Sequence, residues 1–327
     1  MEQRGVSVIM PVYNAANSAV RAASSVLSQE YGEFELIVCD DGSTDGTLEA
    51  VAELSRTDAR IRVVSHDHAG VSYARNSGLE EARYPLIAFI DCDDIAASNW
   101  LSTLVEGLGT ADMAACGYEV VGPNGARAYS TLDALALAAG EALPLTGEQM
   151  MVALFSNDFM YQGYVWNKLF RRALIERGAP VRFRRGITQN EDRLFVFEYL
   201  FRCTEVAMSL EPCYAYSLHG APTAYASSMA TELMAFDCML AELRARGAKP
   251  DARSESPLDR ALFYAEKDYF RAHVELYCAA EAAGNADALW LAEPLFAYRG
   301  YADEFEAYPP SFHYMMDHAL GSAAPVE

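Results

Sequence analysis

The stretch Leu86-Ile87-Ala88-Phe89-Ile90-Asp91-Cys92-Asp93-Asp94 constrains this chain more than any other. Five consecutive apolar residues describe a strand covered on both faces, as in parallel sheets. Three carboxylates then arrive within four positions, and a buried strand cannot hold that charge in its interior. The aspartates therefore belong where the strand ends, and in open α/β sheets that edge is where ligands bind. Asp-x-Asp at such an edge offers hard oxygen ligands to a divalent cation that also takes phosphate oxygens from a substrate. Taken alone, the same residues more often describe a solvated acidic turn.

The flanking sequence supplies the rest of such a sheet. A short apolar strand at 6–10 closes on Pro11-Val12-Tyr13-Asn14, and a helix is expected over 16–29. A second strand at 34–39 runs into Asp40-Asp41-Gly42-Ser43-Thr44-Asp45, followed by a helix over 46–54. A third strand at 61–64 and a helix over 70–79 precede the strand at 86–90, then a helix near 99–108 and a strand near 113–121. This alternation predicts an α/β fold, a mainly parallel sheet with flanking helices. No Gly-x-Gly-x-x-Gly opens the first helix, which disfavours a dinucleotide-binding fold of the usual Rossmann type. Residues 122–148 read as a connection, with helices expected at 149–155, 164–177 and 191–201 and an extended segment or strand pair at 206–216. From about 226 the composition turns to Ala, Leu, Glu and aromatics, with helical periods at 232–246 and 257–283, so a helical C-terminal subdomain is expected.

Net charge narrows the function. Lys and Arg number 25 against 46 Asp and Glu, a balance of −21 that repels nucleic acid and anionic lipid. A nucleotide remains admissible as a small ligand, because a metal ion inverts the local charge. Seven cysteines, an odd number without Cys-x-x-Cys spacing, fit buried thiols in a reducing compartment better than disulfides or zinc. The first residues lack a signal peptide's apolar core and no stretch reaches the length of a membrane span. A soluble cytoplasmic protein without an integral membrane segment is expected, peripheral at most to the inner face of the membrane.

Four motifs in order resemble the signature of family 2 glycosyltransferases: Pro11-Val12-Tyr13-Asn14, Asp40-Asp41-Gly42-Ser43-Thr44-Asp45, the Ala74-Arg75-Asn76 segment closing on Gly78, and Asp91-Cys92-Asp93-Asp94. The resemblance spans roughly residues 5–220 and implies the GT-A fold, a nucleotide-binding half fused to an acceptor-binding half. The expected domain boundaries are 1–222 for the catalytic domain, divided near 121, and 223–327 for the helical subdomain. The activity implied is inverting, metal-dependent transfer from a nucleotide-diphosphate sugar, with UDP as the nucleotide, to a glycan, lipid-linked or protein acceptor.

The resemblance also implies roles for single residues. Pro11, Tyr13, Asn14, Asp41, Arg75 and Asp91 would bind the nucleotide, with Asp41 accepting the base's imide N–H and Tyr13 flanking the ring. Asp40-Asp41-Gly42-Ser43 is also good turn chemistry, and an exposed helical arginine is commonly a surface ion pair. Asp93, with Asp91 and His219, would hold Mn²⁺ or Mg²⁺. Gln189-Asn190-Glu191-Asp192-Arg193-Leu194-Phe195 resembles the segment carrying the family's base, Asp192 first and Glu191 second; acidic residues also favour a helix N-terminus for its dipole alone. Trp166 and Lys168, in Trp166-Asn167-Lys168-Leu169, would meet donor or acceptor together with Asp94, or else be a core tryptophan and a snorkelling lysine. Ser217 stands where many relatives have arginine, which removes a diphosphate clamp. That departure motivates the competing expectation, an inactive nucleotide-sugar-binding module serving as a partner subunit. The C-terminal helices are a candidate surface for a homo-oligomer.

Overall fold

The structure is a computed structural model that describes residues 5–122, 125, 127–129, 145–155, 163–218 and 225–282. The chain divides into two compact units, Met1–Ala221 and Pro222–Glu327. In the first, β1 (Val6–Val12), β2 (Phe34–Asp40), β3 (Ile61–Ser65) and β4 (Leu86–Phe89) pair in parallel in the order β3-β2-β1-β4. Every residue of β1, β2 and β4 is buried, because helices cover both faces of a parallel sheet. Those helices include α1 (Ala16–Leu27), α2 (Thr47–Thr57) and α3 (Val71–Glu81).

Beyond β4 the sheet is mixed. After β5 (Ile95–Ala96) and α4 (Trp100–Leu108) come β6 (Met113–Val121), β7 (Arg127–Tyr129) and α5 (Gly147–Phe155). The unit then runs through β8 (Lys168–Arg171), α6 (Arg172–Ile175), α7 (Glu191–Leu200) and β9 (Val206–Ser217). The strand order continues β4-β8-β6-β9-β5, with β7 on β6. β8 is antiparallel to both β4 and β6, while β6 and β9 are parallel. The α/β class and mainly parallel sheet match the sequence expectation. The helix expected over 164–177 is instead strand β8 and the single turn α6. Leu169 and Phe170 are both buried with no exposed face between them, so they fill the gap between β4 and β6. A short run buried on both sides carries no period that separates strand from helix.

A cluster of phenylalanines locks the two halves of this sheet together. Phe89 at the end of β4 meets Phe170 of β8, Phe183, and Phe195 of α7, with ring centroids 6.0, 5.4 and 5.8 Å away. Phe183 and Phe195 stack at 4.3 Å. Edge-to-face pairs of this kind add roughly 0.5–1.5 kcal/mol each to simple burial. They fix the start of α7 relative to the end of β4, where the charged residues emerge.

The second unit contains α8 (Tyr225–Ala245) and α9 (Pro257–Ala282), helical as the composition implies. Among the described residues no helix is long and apolar enough to cross a membrane.

Gly78 of α3 tests the packing. A Cβ there would lie 2.4 Å from Ile9 Cγ2 and 2.9 Å from Cys39 Sγ, so the helix rests directly on β1 and β2. Gly78→Val is expected to cost about 1–3 kcal/mol through overpacking, seen as a lower midpoint of thermal or denaturant unfolding; an unchanged midpoint would contradict this packing.

Candidate active site

The turn after β4 is held by groups from β9, which runs beside it through the β5–β9 pairing of Ile95 with Ala215 and Ala96 with Tyr214. The Tyr214 hydroxyl accepts the Asp91 N–H at 3.2 Å and donates to Asp94 Oδ2 at 2.8 Å. The Ser217 N–H donates to Asp94 Oδ1 at 2.8 Å. Asp94 is buried, and burial together with the Asp91 charge pushes its carboxyl up to about 8. This residue is a strut: expected to meet donor or acceptor, it instead ties the turn to the end of β9. Asp91 and Asp93 stay half-buried at the rim. Cys92 between them is an inert thiol, pushed up to about 12 by burial and by Asp93 and Asp91.

Arg75 is the hub of the site. It comes from α3, is almost fully buried, and lies 5.3 Å over the Phe183 ring. Its Nη2 donates to Asp91 Oδ1 at 2.9 Å and its Nη1 to Glu191 Oε1 at 2.8 Å. Burial works against its charge, but Asp91, Glu191 and Asp192 more than offset that and hold the guanidinium protonated. The exposed ion pair that composition alone allowed is thus a buried bridge from β4 to α7. Its Nε is buried without a hydrogen-bond acceptor among the described residues.

Helix α7 begins at Asn190, which has φ 59°, and carries Glu191 and Asp192 in its first turn. Glu191 is occupied by Arg75, whereas Asp192 Oδ1 accepts its neighbour's Arg193 N–H at 2.7 Å. Burial, then the adjacent Glu191 charge, pushes the Asp192 carboxyl up to about 7, with Arg75 partly opposing. Gly163 packs flush against this turn: a Cβ there would lie 2.1 Å from Arg193 Cα.

Two cavities meet at Arg75 and Asp91. One, of about 390 Å³, is lined by Pro11, Tyr13, Asp41, His68 and Asp93 among others. The other, of about 340 Å³, is lined by Tyr164, Trp166, Gln189, Glu191, Asp192 and Tyr216 among others. Arg75 and Asp91 line both. In the first, Tyr13 is 45% exposed and stacks on His68 at 4.2 Å. Asp41 lies at the wall, but its carboxylate accepts the Ala69 and Gly70 N–H groups at 2.8 and 2.9 Å and meets His68 Nδ1 at 2.8 Å. Asn14 Oδ1 accepts the Thr44 N–H at 2.8 Å, tying two loops together.

Several placements differ from expectation. Trp166 is 2% exposed, stacked against Tyr214 at 4.4 Å and Tyr164 at 4.8 Å, so it backs the wall instead of offering a face to a sugar. Tyr164 and Tyr216 are the less buried rings of that wall. Lys168 is fully buried and reaches neither cavity. His219 lies outside the described residues. Missed in the sequence were Tyr164, Tyr216 and His68. The two-residue spacing of Tyr214 and Tyr216 on a strand, which puts both on one face, was the available signal.

Among the described residues no three His, Cys, Asp or Glu side chains are grouped to hold a metal unaided. The oxygen donors nonetheless suit Mg²⁺ or Mn²⁺, which bind through one or two carboxylates plus substrate phosphates. Asp93 and Asp91, both half-buried, supply those at the rim of the first cavity.

A cavity of about 390 Å³ thus lies at the carboxyl edge of the parallel strands, beside a second cavity walled by an acidic helix start. The profile of glycosyl transferase family 2 matches residues 7–178, over half of the chain, and the protein belongs to that family. EpsH of Bacillus subtilis (strain 168) is 29% identical over 221 residues, 67% of this chain and 62% of EpsH. The chain thus spans about three-fifths of that relative. The Escherichia coli UDP-Glc:alpha-D-GlcNAc-diphosphoundecaprenol beta-1,3-glucosyltransferase WfgD is 45% identical over 102 residues, 31% of this chain and 40% of WfgD. The crystal structure of S. aureus TarS 1-349 in complex with UDP-GlcNAc shares the fold, with a TM-score of 0.58 at 19% identity over 90% of this chain and 92% of that one.

Arg75→Met is expected to lower stability by about 3–5 kcal/mol, because Asp91 and Glu191 lose their shared buried partner. Arg75→Lys recovers only part, since an ammonium lacks the two-armed fork. Equal unfolding midpoints for all three proteins would contradict the bridge.

Proposed function

We propose that the protein is an inverting glycosyltransferase that moves a sugar from a UDP-sugar to an acceptor hydroxyl. The observation that carries this is the meeting of two cavities at Arg75 and Asp91, with Asp192, a carboxyl lifted to about 7, on the wall of the second. A carboxylate poised near the working pH suits a general base. Family membership supports sugar transfer, and the donor named for WfgD supports UDP.

In this account the nucleotide occupies the first cavity, its base against Tyr13 and the Pro11 backbone. Asp41 shapes that wall through the 66–70 loop and offers its remaining acceptor capacity to the base, while Asn14 holds the neighbouring loop. Arg75 and Asp91 lie toward the ribose and phosphates. The acceptor enters the second cavity, beside Tyr164 and Tyr216. Its hydroxyl oxygen forms a bond to the anomeric carbon as the bond from that carbon to the diphosphate breaks. Asp192 takes the hydroxyl proton, and Arg75 holds Glu191 turned aside. Attack from the cavity opposite the leaving group inverts the anomeric centre. A divalent cation on Asp93 and Asp91 would neutralise the charge on the departing diphosphate; His219 is a further candidate ligand.

Residues 1–121 would then be the nucleotide half and 122–222 the acceptor half. The helical region 223–327 would contact acceptor or a second copy of the chain. The acceptor would be a growing surface polysaccharide, a lipid-linked oligosaccharide or a protein glycan, met in the cytoplasm at the inner face of the membrane.

The test is Asp192→Asn with a panel of UDP-sugars. Transfer should fall by about 10²-fold or more, while UDP binding by calorimetry with Mn²⁺ stays intact. In the wild type the ionised carboxylate is the active form, so kcat should rise with pH through an apparent pKa of about 7 and be lost below it. Surviving turnover in Asp192→Asn would overturn the base assignment, and absence of UDP binding to the wild type would overturn the nucleotide.

A further inference from the structure

Asp41, on the wall of the first cavity, is already crowded with donors. A carboxylate offers about four lone-pair directions. Its Oδ1 accepts the Ala69 N–H at 2.8 Å and its Oδ2 the Gly70 N–H at 2.9 Å. His68 Nδ1 lies 2.8 Å from Oδ2, and His66 Nδ1 lies 3.3 Å from Oδ1. Only the last direction is loosely held, because His66 Nδ1 also meets the Asp67 carbonyl at 3.0 Å. A buried carboxylate so surrounded has little left to give a ligand.

His68 has capacity to spare. Its Nδ1 faces two acceptors, Asp41 Oδ2 at 2.8 Å and the Asp41 carbonyl at 3.1 Å. A nitrogen between two acceptors must carry the hydrogen, so the carboxylate sets the tautomer. In the neutral imidazole Nε2 is then a bare acceptor on the far edge of the ring. Among the described residues Nε2 has no hydrogen-bond partner, and the side chain is 56% exposed at the cavity wall. The ring is also held in place. It stacks on Tyr13 at 4.2 Å with 24° between the planes. Behind it, the His66 N–H donates to the Asp40 carbonyl at 3.1 Å, and a Cβ at Gly42 would lie 2.8 Å from the His68 backbone nitrogen.

We propose that His68 reads the nucleobase: its Nε2 accepts the N3–H of a uracil lying beside the imidazole, and Asp41 acts through it by fixing the tautomer. The proposal rests on the reading above that places a nucleotide in the first cavity. It moves the principal hydrogen bond to the base from Asp41 to His68. An imidazole nitrogen bonds in the plane of its ring, so the partner must approach edge to edge. Tyr13, 45% exposed, offers the part of its ring that His68 leaves uncovered as a floor for that base. Uracil meets Nε2 with a donor at N3. Cytosine presents a lone pair at the same position, and two lone pairs repel, so the site selects the uracil class of donor.

The test is calorimetric titration of the full chain with UDP, N3-methyl-UDP and CDP, each with Mn²⁺ at mildly alkaline pH. The wild type should bind UDP about tenfold more tightly than either of the others. His68→Phe keeps a ring to stack on Tyr13 and removes both nitrogens. It should weaken UDP by about tenfold and bring all three ligands to within about threefold of one another. Undiminished UDP binding in His68→Phe, or a preference for UDP that survives it, overturns the proposal. A second readout is ¹⁵N-histidine labelling, which gives six imidazoles, with His68 the one absent from His68→Phe. The wild type should show the Nδ1–H tautomer, its Nε2 resonance shifting with UDP and not with N3-methyl-UDP. An Nε2–H tautomer, or an Nε2 signal that UDP leaves in place, also overturns the proposal. If His68→Phe does not fold, His68→Asn assigns the signal and the wild-type shift decides. Absence of UDP binding to the wild type would overturn the nucleotide of the proposed function together with this role. UDP binding that ignores His68 would overturn this role alone.

Discussion

The buried guanidinium of Arg75 is the interaction on which the site depends. It is a cation from α3 held between Asp91 at the end of β4 and Glu191 at the start of α7. Without it, two half-buried carboxylates from opposite halves of the sheet would face each other beside Asp192. With it, the two cavities share one wall. The phenylalanine cluster beneath Arg75 gives the bridge a rigid seat, since Phe89, Phe170, Phe183 and Phe195 join β4, β8 and α7.

Carboxylates of one chemical kind acquire different tasks from their surroundings alone. Asp94 is hydrogen-bonded by Tyr214 and Ser217 and sealed from water, which makes it a strut. Asp41 anchors the 66–70 loop through two backbone N–H groups. Glu191 is fixed by Arg75, and Asp192, one residue on, is raised toward neutrality by burial and by that neighbour. Such splitting of adjacent acids is what separates a base from its support in catalytic sites.

The parallel half of the sheet was legible in the sequence because its strands are short, apolar and ended by polar motifs, and parallel order follows from the alternation of strands and helices. The second half was less so. β8 has no period to distinguish it from a helix, and its identity comes from the vacancy between β4 and β6. Arg75, Asp91, Glu191 and Asp192, drawn from three separate motifs, meet at one junction. Burial was not legible: Trp166, Lys168 and Asp94 carry polar or ring chemistry suited to a ligand, yet each is turned inward by contacts made across the sheet. Tyr164 and His68 sit on connecting segments whose course depends on long-range packing, so neither carried a local signal.

The proposed transfer would seat donor and base in separate cavities that share Arg75 and Asp91. The most direct measurement is proton NMR of the first anomer formed during turnover of an α-linked UDP-sugar, with water or an acceptor supplying the hydroxyl. Attack from the Asp192 side predicts the β anomer as the initial product. An initial α anomer would contradict the account, because it would require the incoming oxygen and the departing diphosphate to share a face.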